Sequence, residues 1–308
     1  RGAKVDALVR SGHTSAYIRA EVENQSRTSL IEIELTTQGR SKAQVNKQKV
    51  KRFRDLGDTV RAVVFSPDDL ELIKGPPAIR RSLLDDTIAI TNPEFRAVRT
   101  DLDHILRQRN NLLKQAKGRL SNDLETSLTI WNEQLVNAAE FIGDTREEFI
   151  HQFGPSVADF YQQVAGRNDP VTLNIEADWR HTGLAEALVR SQDDEVRRGM
   201  TLVGPHRDDL LMLLNSLPSR SHASQGEQRS LALALRLATY LYIEKVSGDQ
   251  PLVLLDDVFS ELDETRARRL VECLPNSQIV LTSATGTVPE GVNPSQTLSL
   301  EEGQVCAP

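Results

Sequence analysis

The stretch PLVLLDDVFSELD, residues 251–263, constrains the fold most, because a run of apolar residues leads directly into two adjacent aspartates. Residues 252–255 lack polar alternation, which is typical of a strand covered on both faces in a parallel sheet. Asp256 and Asp257 follow at its carboxyl end, the edge at which open α/β sheets bind ligands. Two neighbouring carboxylates favour a hard cation or the polarisation of a water molecule. The alternative is a polar turn in which both aspartates are simply solvated.

The composition limits the class of protein. The 308 residues are 39% hydrophobic and 26% charged, which suits a globular chain with a large core and a second domain. The net charge of -7 at pH 7 argues against a uniformly basic nucleic-acid coat. Cys273 and Cys306 lack metal-ligand spacing and indicate a reducing compartment. No apolar run approaches the roughly 18 residues of a membrane span and no signal peptide is visible, so we expect a cytoplasmic protein.

Three zones follow one another along the chain. Residues 15–65 contain segments in which apolar and polar residues alternate, such as SAYIRAEVE and SLIEIELTT. This pattern predicts antiparallel strands with one solvent-exposed face. Residues 77–166 have helical periodicity with a break near Gly118, and Arg109 interrupts the first apolar stripe. Spacing alone favours a packed bundle over a projecting arm, because heptads this short rarely make coiled coils. After Asp169 the strand-turn-helix alternation of an α/β domain continues to the end.

Three features of the last zone accompany the opening strand. ASQGEQRSLALALRLATYL, residues 223–241, predicts a turn at Gly226 followed by a helix whose start suits either a phosphate or an ordinary serine cap. TLVGPHRDDL, residues 201–210, predicts a strand that ends in a charged turn, either structural or ligand-binding. QIVLTSATG, residues 278–286, predicts a second buried strand that ends in hydroxyl groups.

The order of these motifs resembles that in ATP-binding-cassette (ABC) ATPases of the SMC-like branch. Residues 224–238 are similar to the signature motif, and residues 251–263 to the Walker B strand and D-loop. Together with VVFSPDDLELIKGPPAIRRSLLD (63–85), TLVGPHRDDL and VNKQKVKRFRDLG (45–57), the resemblance narrows to the RecF family of bacterial recombination-mediator ATPases.

The resemblance implies an α/β fold, an ABC-type ATPase head with a β-rich lobe and an inserted helical arm. The expected division is 1–76 for the β-rich part of the first lobe, 77–168 for the arm and 169–308 for the α/β lobe. A general SMC-like repair ATPase is an alternative, but it would need a longer coiled-coil insertion than residues 77–166 provide.

The family's functional residues can be carried over by position. Asp256 matches the carboxylate that holds Mg²⁺, and Asp257 stands where a glutamate commonly orients the attacking water. Residues 65–70, FSPDDL, match the Q-loop that couples the arm to the nucleotide. The signature positions, which contact the γ-phosphate of an ATP held by the opposite subunit, are Ser224, Gln225, Gly226, Glu227 and Gln228. The D-loop positions, which communicate across the dimer, are Ser260, Glu261, Leu262 and Asp263.

One component of the phosphoryl-transfer site is missing. A Walker A loop, G-x-x-x-x-G-K-[ST], cradles the phosphates in such ATPases, and this sequence contains no Gly-Lys pair. We expect the loop to precede Arg1, with deliberate truncation or a degenerate relative as the alternatives. The full-length protein is expected to be a weak DNA-stimulated ATPase, and this chain alone is expected to be inactive.

A basic segment at residues 39–54 is the best candidate for DNA contact. Its cations could neutralise several backbone phosphates and make binding strongly salt-dependent. Phe53 is its one aromatic residue, which favours backbone and shape contact over base stacking or sequence readout. The expected partner is double-stranded or gapped DNA, bound without sequence preference, and no residue indicates which DNA structure is preferred. Arg80 and Arg81 are second candidates, and a solvated basic hairpin is the alternative. The cations are Arg40, Lys42, Lys47, Lys49, Lys51, Arg52 and Arg54.

These observations together predict an ATP-dependent DNA-binding protein of recombinational gap repair and replication restart. It would dimerise around ATP on DNA and help to load recombinase, and the resemblance implies RecR and RecO as partners. A DNA-binding scaffold that acts without nucleotide is the competing hypothesis outside the enzymes.

Overall fold

The computed structural model describes residues 4–24, 27–286, 288–301 and 303–306, with the side chain of Arg54 left out. The α-helices are α1 (Val5–Leu8), α2 (Glu71–Lys74), α3 (Pro77–Thr91), α4 (Pro93–Gln115), α5 (Asn122–Ala165), α6 (Leu184–Arg198), α7 (Ser219–His222), α8 (Gln225–Ser247) and α9 (Glu264–Cys273). The strands are β1 (Ser15–Asn24), β2 (Arg27–Thr36), β3 (Lys42–Val45), β4 (Gln48–Lys49), β5 (Ala62–Phe65), β6 (Val171–Glu176), β7 (Asp209–Leu214), β8 (Leu217–Pro218), β9 (Leu252–Asp256), β10 (Ile279–Thr282), β11 (Ser299–Glu301) and β12 (Gln304–Cys306).

Strands β1 to β4 form an antiparallel sheet in sequence order, as the alternation predicts. Because side chains alternate between the two faces, the paired residues Tyr17, Glu34 and Lys42 share the polar face, while Ile31 and Ala43 are buried on the other. The last strand of the predicted β-rich zone, β5, does not join this sheet. It pairs in parallel with β9 instead.

The parallel sheet has the order β10-β9-β5. One face is buried against helices: Val253 and Leu255 pack with Leu237 of α8 and Leu270 of α9. The opposite face is only partly covered by the described residues, since Val64 is 42% exposed and Val280 is 45% exposed. The structure thus departs from the predicted two-sided coverage, because an unbroken apolar run does not show which of its faces a helix covers.

Helix α5 joins the helical zone to the α/β zone. It packs against α4 and α8, and its residues belong both to the main core and to the core under the parallel sheet. Arg109, which interrupts the apolar stripe of α4, is buried and bonded to Glu195 at 2.6 Å. The helical zone is therefore packed into the rest of the chain, and the domain division at 76 and 168 stays a prediction. Within the part of the chain that the structure describes, no helix has the length and apolarity needed to cross a bilayer.

The charged turn before β7 corrects one prediction. The strand expected across residues 201–210 begins only at Asp209. Asp208 is buried, accepts a hydrogen bond from Trp179 Nε1 at 2.7 Å and pairs with Arg146 at 3.0 Å. Asp209 accepts two hydrogen bonds from Arg80, both at 2.7 Å. Of the two roles that the sequence left open for these aspartates, the structure therefore supports the structural one.

Candidate functional site

Asp256 and Asp257 lie at the carboxyl end of β9, as predicted. The hydroxyl of Thr282, at the end of the neighbouring β10, donates to Asp256 Oδ1 at 3.0 Å. Asp257 has left-handed backbone angles, φ 53° and ψ 29°, which aspartate tolerates better than most residues. Its backbone N–H is shared between the carbonyl and the hydroxyl oxygen of Thr282, each at 3.2 Å. The chain therefore turns sharply directly after the strand.

The carboxylate of Asp257 is held between two loops. Ser260 Oγ donates to its Oδ2 at 3.1 Å, and the backbone N–H of Ala284 donates to its Oδ1 at 3.4 Å. A cleft with a volume of about 420 Å³ adjoins it and is lined by D-loop residues, the start of α9 and the loop after β10. The cleft gives space for a ligand at the edge where open α/β sheets bind them.

The oxygen donors at this edge suit a hard cation. The described residues contain no cluster of three or more His, Cys, Asp or Glu side chains arranged for a metal. Asp256 can nevertheless serve Mg²⁺ in that ion's usual manner, in which one or two carboxylates bind it together with water and substrate phosphate oxygens. The donor set therefore fits Mg²⁺ accompanied by a nucleotide.

The predicted signature segment begins α8 through a reciprocal cap. Ser224 Oγ accepts from the backbone N–H of Glu227, and Glu227 Oε2 accepts from the backbone N–H of Ser224 at 2.7 Å and from its hydroxyl at 2.8 Å. The hydrogen bond from the Ser224 backbone lowers the pKa of Glu227. The capping role left open by the sequence is thus present, and it is compatible with a phosphate at the same positive helix end.

The other signature residues differ in exposure. Gln225 is exposed, whereas Gln228 is buried and donates to the carbonyl oxygens of Ser219 and Arg220 at 3.0 and 3.2 Å. Gly226 is partly buried within the first turn. A nucleotide phosphate could therefore approach Ser224, Gln225 and Gly226. The buried side chain of Gln228 fixes the turn to the preceding backbone.

The predicted D-loop lies directly beside the signature helix. Its residues continue from a 3-10 turn, Val258–Glu261, to Asp263, which caps α9 by accepting from the backbone N–H of Arg266 at 3.0 Å. This hydrogen bond lowers the pKa of Asp263. Glu261 pairs with Arg229 of α8 at 2.8 Å.

The predicted Q-loop segment is also tied to the signature helix. Ser66 and Asp69 form a capping box around the 3-10 turn Pro67–Leu70. Asp69 is buried and accepts from Arg236 of α8 at 2.7 Å. The segments predicted as Q-loop, signature and D-loop are thus in contact, whereas sequence reasoning missed Arg229, Arg236 and Arg266, which join them. Of these three arginines, Arg229 could have been identified from the sequence, because it directly follows Gln228 of the signature motif.

The basic segment forms β3, β4 and the residues around them. Asn46 and Lys47 have left-handed backbone angles in the turn, with φ of 51° and 66°. The sequence shows no acid in this segment, but the sheet brings Glu34 to within 3.5 Å of Lys42. The predicted side chains that the structure describes are all exposed: Arg40, Lys42, Lys47, Lys49, Lys51 and Arg52. That of Arg54 lies outside the described part.

Of the second-rank DNA candidates, Arg80 is corrected and Arg81 stays a prediction. Arg80 is buried and pairs with Asp209, so it cannot reach a DNA phosphate without breaking that pair. Arg81 donates to the backbone carbonyl of Asp208 at 2.7 Å. Both arginines anchor α3 to the turn before β7.

Comparisons with known proteins show the family to which this chain belongs. The family model described as "RecF/RecN/SMC N terminal domain" matches residues 1–304. A DNA replication and repair protein RecF from Streptomyces avermitilis is 38% identical over 97% of this chain and 83% of that protein. A protein of the same name from Acidothermus cellulolyticus is 38% identical over 90% of this chain and 78% of its own length.

Two solved structures match nearly the whole chain. One, described as the recombination mediator protein RecF-ATPrS in the RecFOR pathway, has a TM-score of 0.86 at 26% identity and covers 99% of this chain and 84% of that one. The other, described as RecF-ATP in the same pathway, has a TM-score of 0.87 at 28% identity and covers 99% of this chain and 83% of that one. These matches confirm the predicted fold class, an ABC-type ATPase head with a β-rich lobe and an inserted helical arm. The chain belongs to the RecF family, within the wider group of RecF, RecN and SMC N-terminal domains.

Proposed function

We propose that this chain forms the head of an ATP-dependent DNA-binding protein that acts in recombinational gap repair and replication restart. The observation that carries the proposal is the edge of the parallel sheet, where Asp256 and Asp257 follow β9 and Thr282 contacts both. The relatives are named for DNA replication and repair, and one similar structure is described as RecF-ATP. Together they support ATP as the ligand of this edge.

The two aspartates would have different tasks. Asp256 would hold Mg²⁺, which supplies charge neutralisation to the phosphates when it is bound. Asp257 would accept a hydrogen bond from the attacking water and orient it. Ser260 and the backbone of Ala284 restrict the carboxylate of Asp257, which favours one orientation of that water. Aspartate is one methylene shorter than the usual glutamate, and we propose that hydrolysis is correspondingly slow.

The signature turn would act on a nucleotide held by a second copy of the protein. Ser224, Gln225 and Gly226 are placed at the positive end of α8, where an anionic γ-phosphate is favoured. ATP would then be enclosed between two heads, each contributing its signature turn to the other. The D-loop residues Ser260 to Asp263 would lie at the same interface.

DNA would be bound through its backbone by the exposed cations of residues 39–54. These side chains suit phosphate contacts, which make affinity depend on salt. Recombinase loading, partnership with RecR and RecO, and a cytoplasmic location stay predictions that rest on the family resemblance.

The first test is sedimentation on DNA at moderate salt, with and without ATP and Mg²⁺. It uses the chain extended upstream of Arg1 to include the expected Walker A loop. Ser224→Arg would place a bulky side chain where the γ-phosphate is expected, so we expect it to abolish the ATP-dependent dimer. Ser221→Arg is the matched control, because Ser221 is exposed three residues before the signature turn.

Dimers that require ATP, disappear with Ser224→Arg and survive Ser221→Arg would support a clamp closed by the signature turn. DNA binding that ignores both ATP and Ser224→Arg would refute that mechanism. It would favour the scaffold hypothesis instead, with the basic segment as the DNA site.

A further inference from the structure

A close contact joins the signature turn to the helix that follows the D-loop. A Cβ atom built on Gly226 would lie 2.7 Å from Nη2 and 2.9 Å from Cζ of Arg266. Side-chain atoms essentially never approach a Cβ that closely. A side chain at position 226 would therefore have to displace the guanidinium of Arg266 on α9, which is the far end of a flexible side chain.

The guanidinium is held in this place from two sides. Its Nε donates to Ser230 Oγ on α8 at 3.2 Å. Its Nη1 forms an ion pair with Asp263, the D-loop residue that caps α9. A planar guanidinium can make both contacts at once, which the single ammonium group of a lysine cannot do in the same geometry.

Backbone conformation does not explain the glycine at position 226. Gly226 is the second residue of α8, and its φ is not positive. Glycine in a helix is less favourable than alanine by about 1 kcal/mol. The close approach of Arg266 therefore supplies a steric reason for glycine in addition to any approach by a phosphate.

We infer that Arg266 is a positioning residue, which fixes the signature turn to the D-loop helix of the same subunit. The functional consequence of this inference rests on the proposed function. The signature turn would meet the nucleotide of the partner subunit in a fixed orientation, and the D-loop would move together with the turn. The pair between Arg229 and Glu261 adds a link between α8 and the D-loop itself.

The contact itself is tested without nucleotide, by a double-mutant cycle on this chain. We expect Gly226→Ala to lower the unfolding midpoint more in the wild-type background than in the Arg266→Ala background. Without the guanidinium the three atoms nearest to the new methyl group are removed, and alanine is the better helix former. A Gly226→Ala shift that is equal in the two backgrounds would overturn the inference.

Arg268→Ala is the matched control for the cycle. Arg268 lies on the same helix but is exposed, so we expect its removal to leave the effect of Gly226→Ala unchanged. Coupling of equal size with both arginines would point to a general change in α9 and would also overturn the inference.

The consequence is tested by ATP-dependent dimerisation of the extended chain. We expect Arg266→Ala to raise the ATP concentration at half-maximal dimerisation roughly tenfold, the size of one lost charge-assisted contact. Arg266→Lys should not restore it, whereas full restoration would show that charge alone matters and would refute positioning. If the wild-type protein does not dimerise with ATP, the proposed function fails, and the nucleotide-free cycle still decides whether Arg266 links the two elements.

Discussion

His206 should make the stability of this protein depend on pH. Its ring is partly buried in the turn before β7, with Nε2 3.3 Å from the carbonyl oxygen of Thr201. The pKa of His206 is lowered from 6.5 to about 4, chiefly because the ring is buried; the hydrogen bond to Thr201 opposes this shift, and the positive charges of Arg207, Arg81 and Arg109 contribute to it. The folded protein therefore keeps this imidazole neutral, with its Nε2–H donating to Thr201.

The sign and size of the effect follow from this shift. Above pH 6.5 the imidazole is neutral in both the folded and the unfolded chain, so the stability that depends on a neutral ring is fully present. As the pH falls from 6.5 toward 4, the imidazole binds a proton in the unfolded chain but stays neutral in the folded chain. The free energy of unfolding therefore decreases over this range. One pKa unit corresponds to about 1.4 kcal/mol, so the largest possible loss is about 3 kcal/mol.

Urea unfolding of the wild type and of His206→Gln, measured at several values between pH ~7 and ~4.5, tests this prediction. Glutamine can still donate to the Thr201 carbonyl but does not titrate, so its stability should fall less steeply with acid. His151→Gln removes an exposed histidine on α5 and should follow the wild type. Parallel curves for His206→Gln and the wild type would refute the reasoning.

Three further results are expected. Arg146→Met should lower the free energy of unfolding by about 3–5 kcal/mol, because it removes the guanidinium that pairs with the two buried carboxylates of Asp85 and Asp208; urea unfolding of this variant, with the exposed Arg190→Met as control, checks it. Asp256→Asn should abolish Mg²⁺-dependent ATP hydrolysis by the extended chain without moving the melting temperature, because asparagine can still accept from Thr282; phosphate release that persists would exclude Asp256 from the metal site. Lys49→Gln should reduce the slope of log affinity for duplex DNA against log salt by about one, and an unchanged slope in fluorescence anisotropy would move the DNA site elsewhere.

Features set by neighbouring residues were predictable from the sequence. The run 252–255 followed by Asp256 specifies a strand and its end, because the apolar residues need burial and the aspartates need water or a cation. The signature helix was equally accessible: Ser224 and Glu227 have the spacing of a capping box, and the apolar stripe of α8 is buried as its period predicts.

Features set by distant residues were not predictable. Asp208 meets Arg146 across 62 positions, and Asp209 meets Arg80 across 129. Local sequence patterns carry no information about such partners. The sequence was therefore equally compatible with a structural and a ligand-binding role for the turn before β7. The basic segment likewise contains no acid, yet sheet pairing places Glu34 of β2 beside Lys42.

The turn predicted to carry the signature residues is already fixed within this chain. Glu227 caps it, Gln228 anchors it from below, and the guanidinium of Arg266 lies against Gly226. Under the proposed function, closure around ATP would then be the docking of a preformed surface, with little conformational entropy lost in ordering it. An ADP-bound partner would present the same surface without the γ-phosphate that this turn would contact. The ratio of dimer affinities with ATP and with ADP would therefore measure the signature contact directly, and Ser224→Arg should bring that ratio close to one.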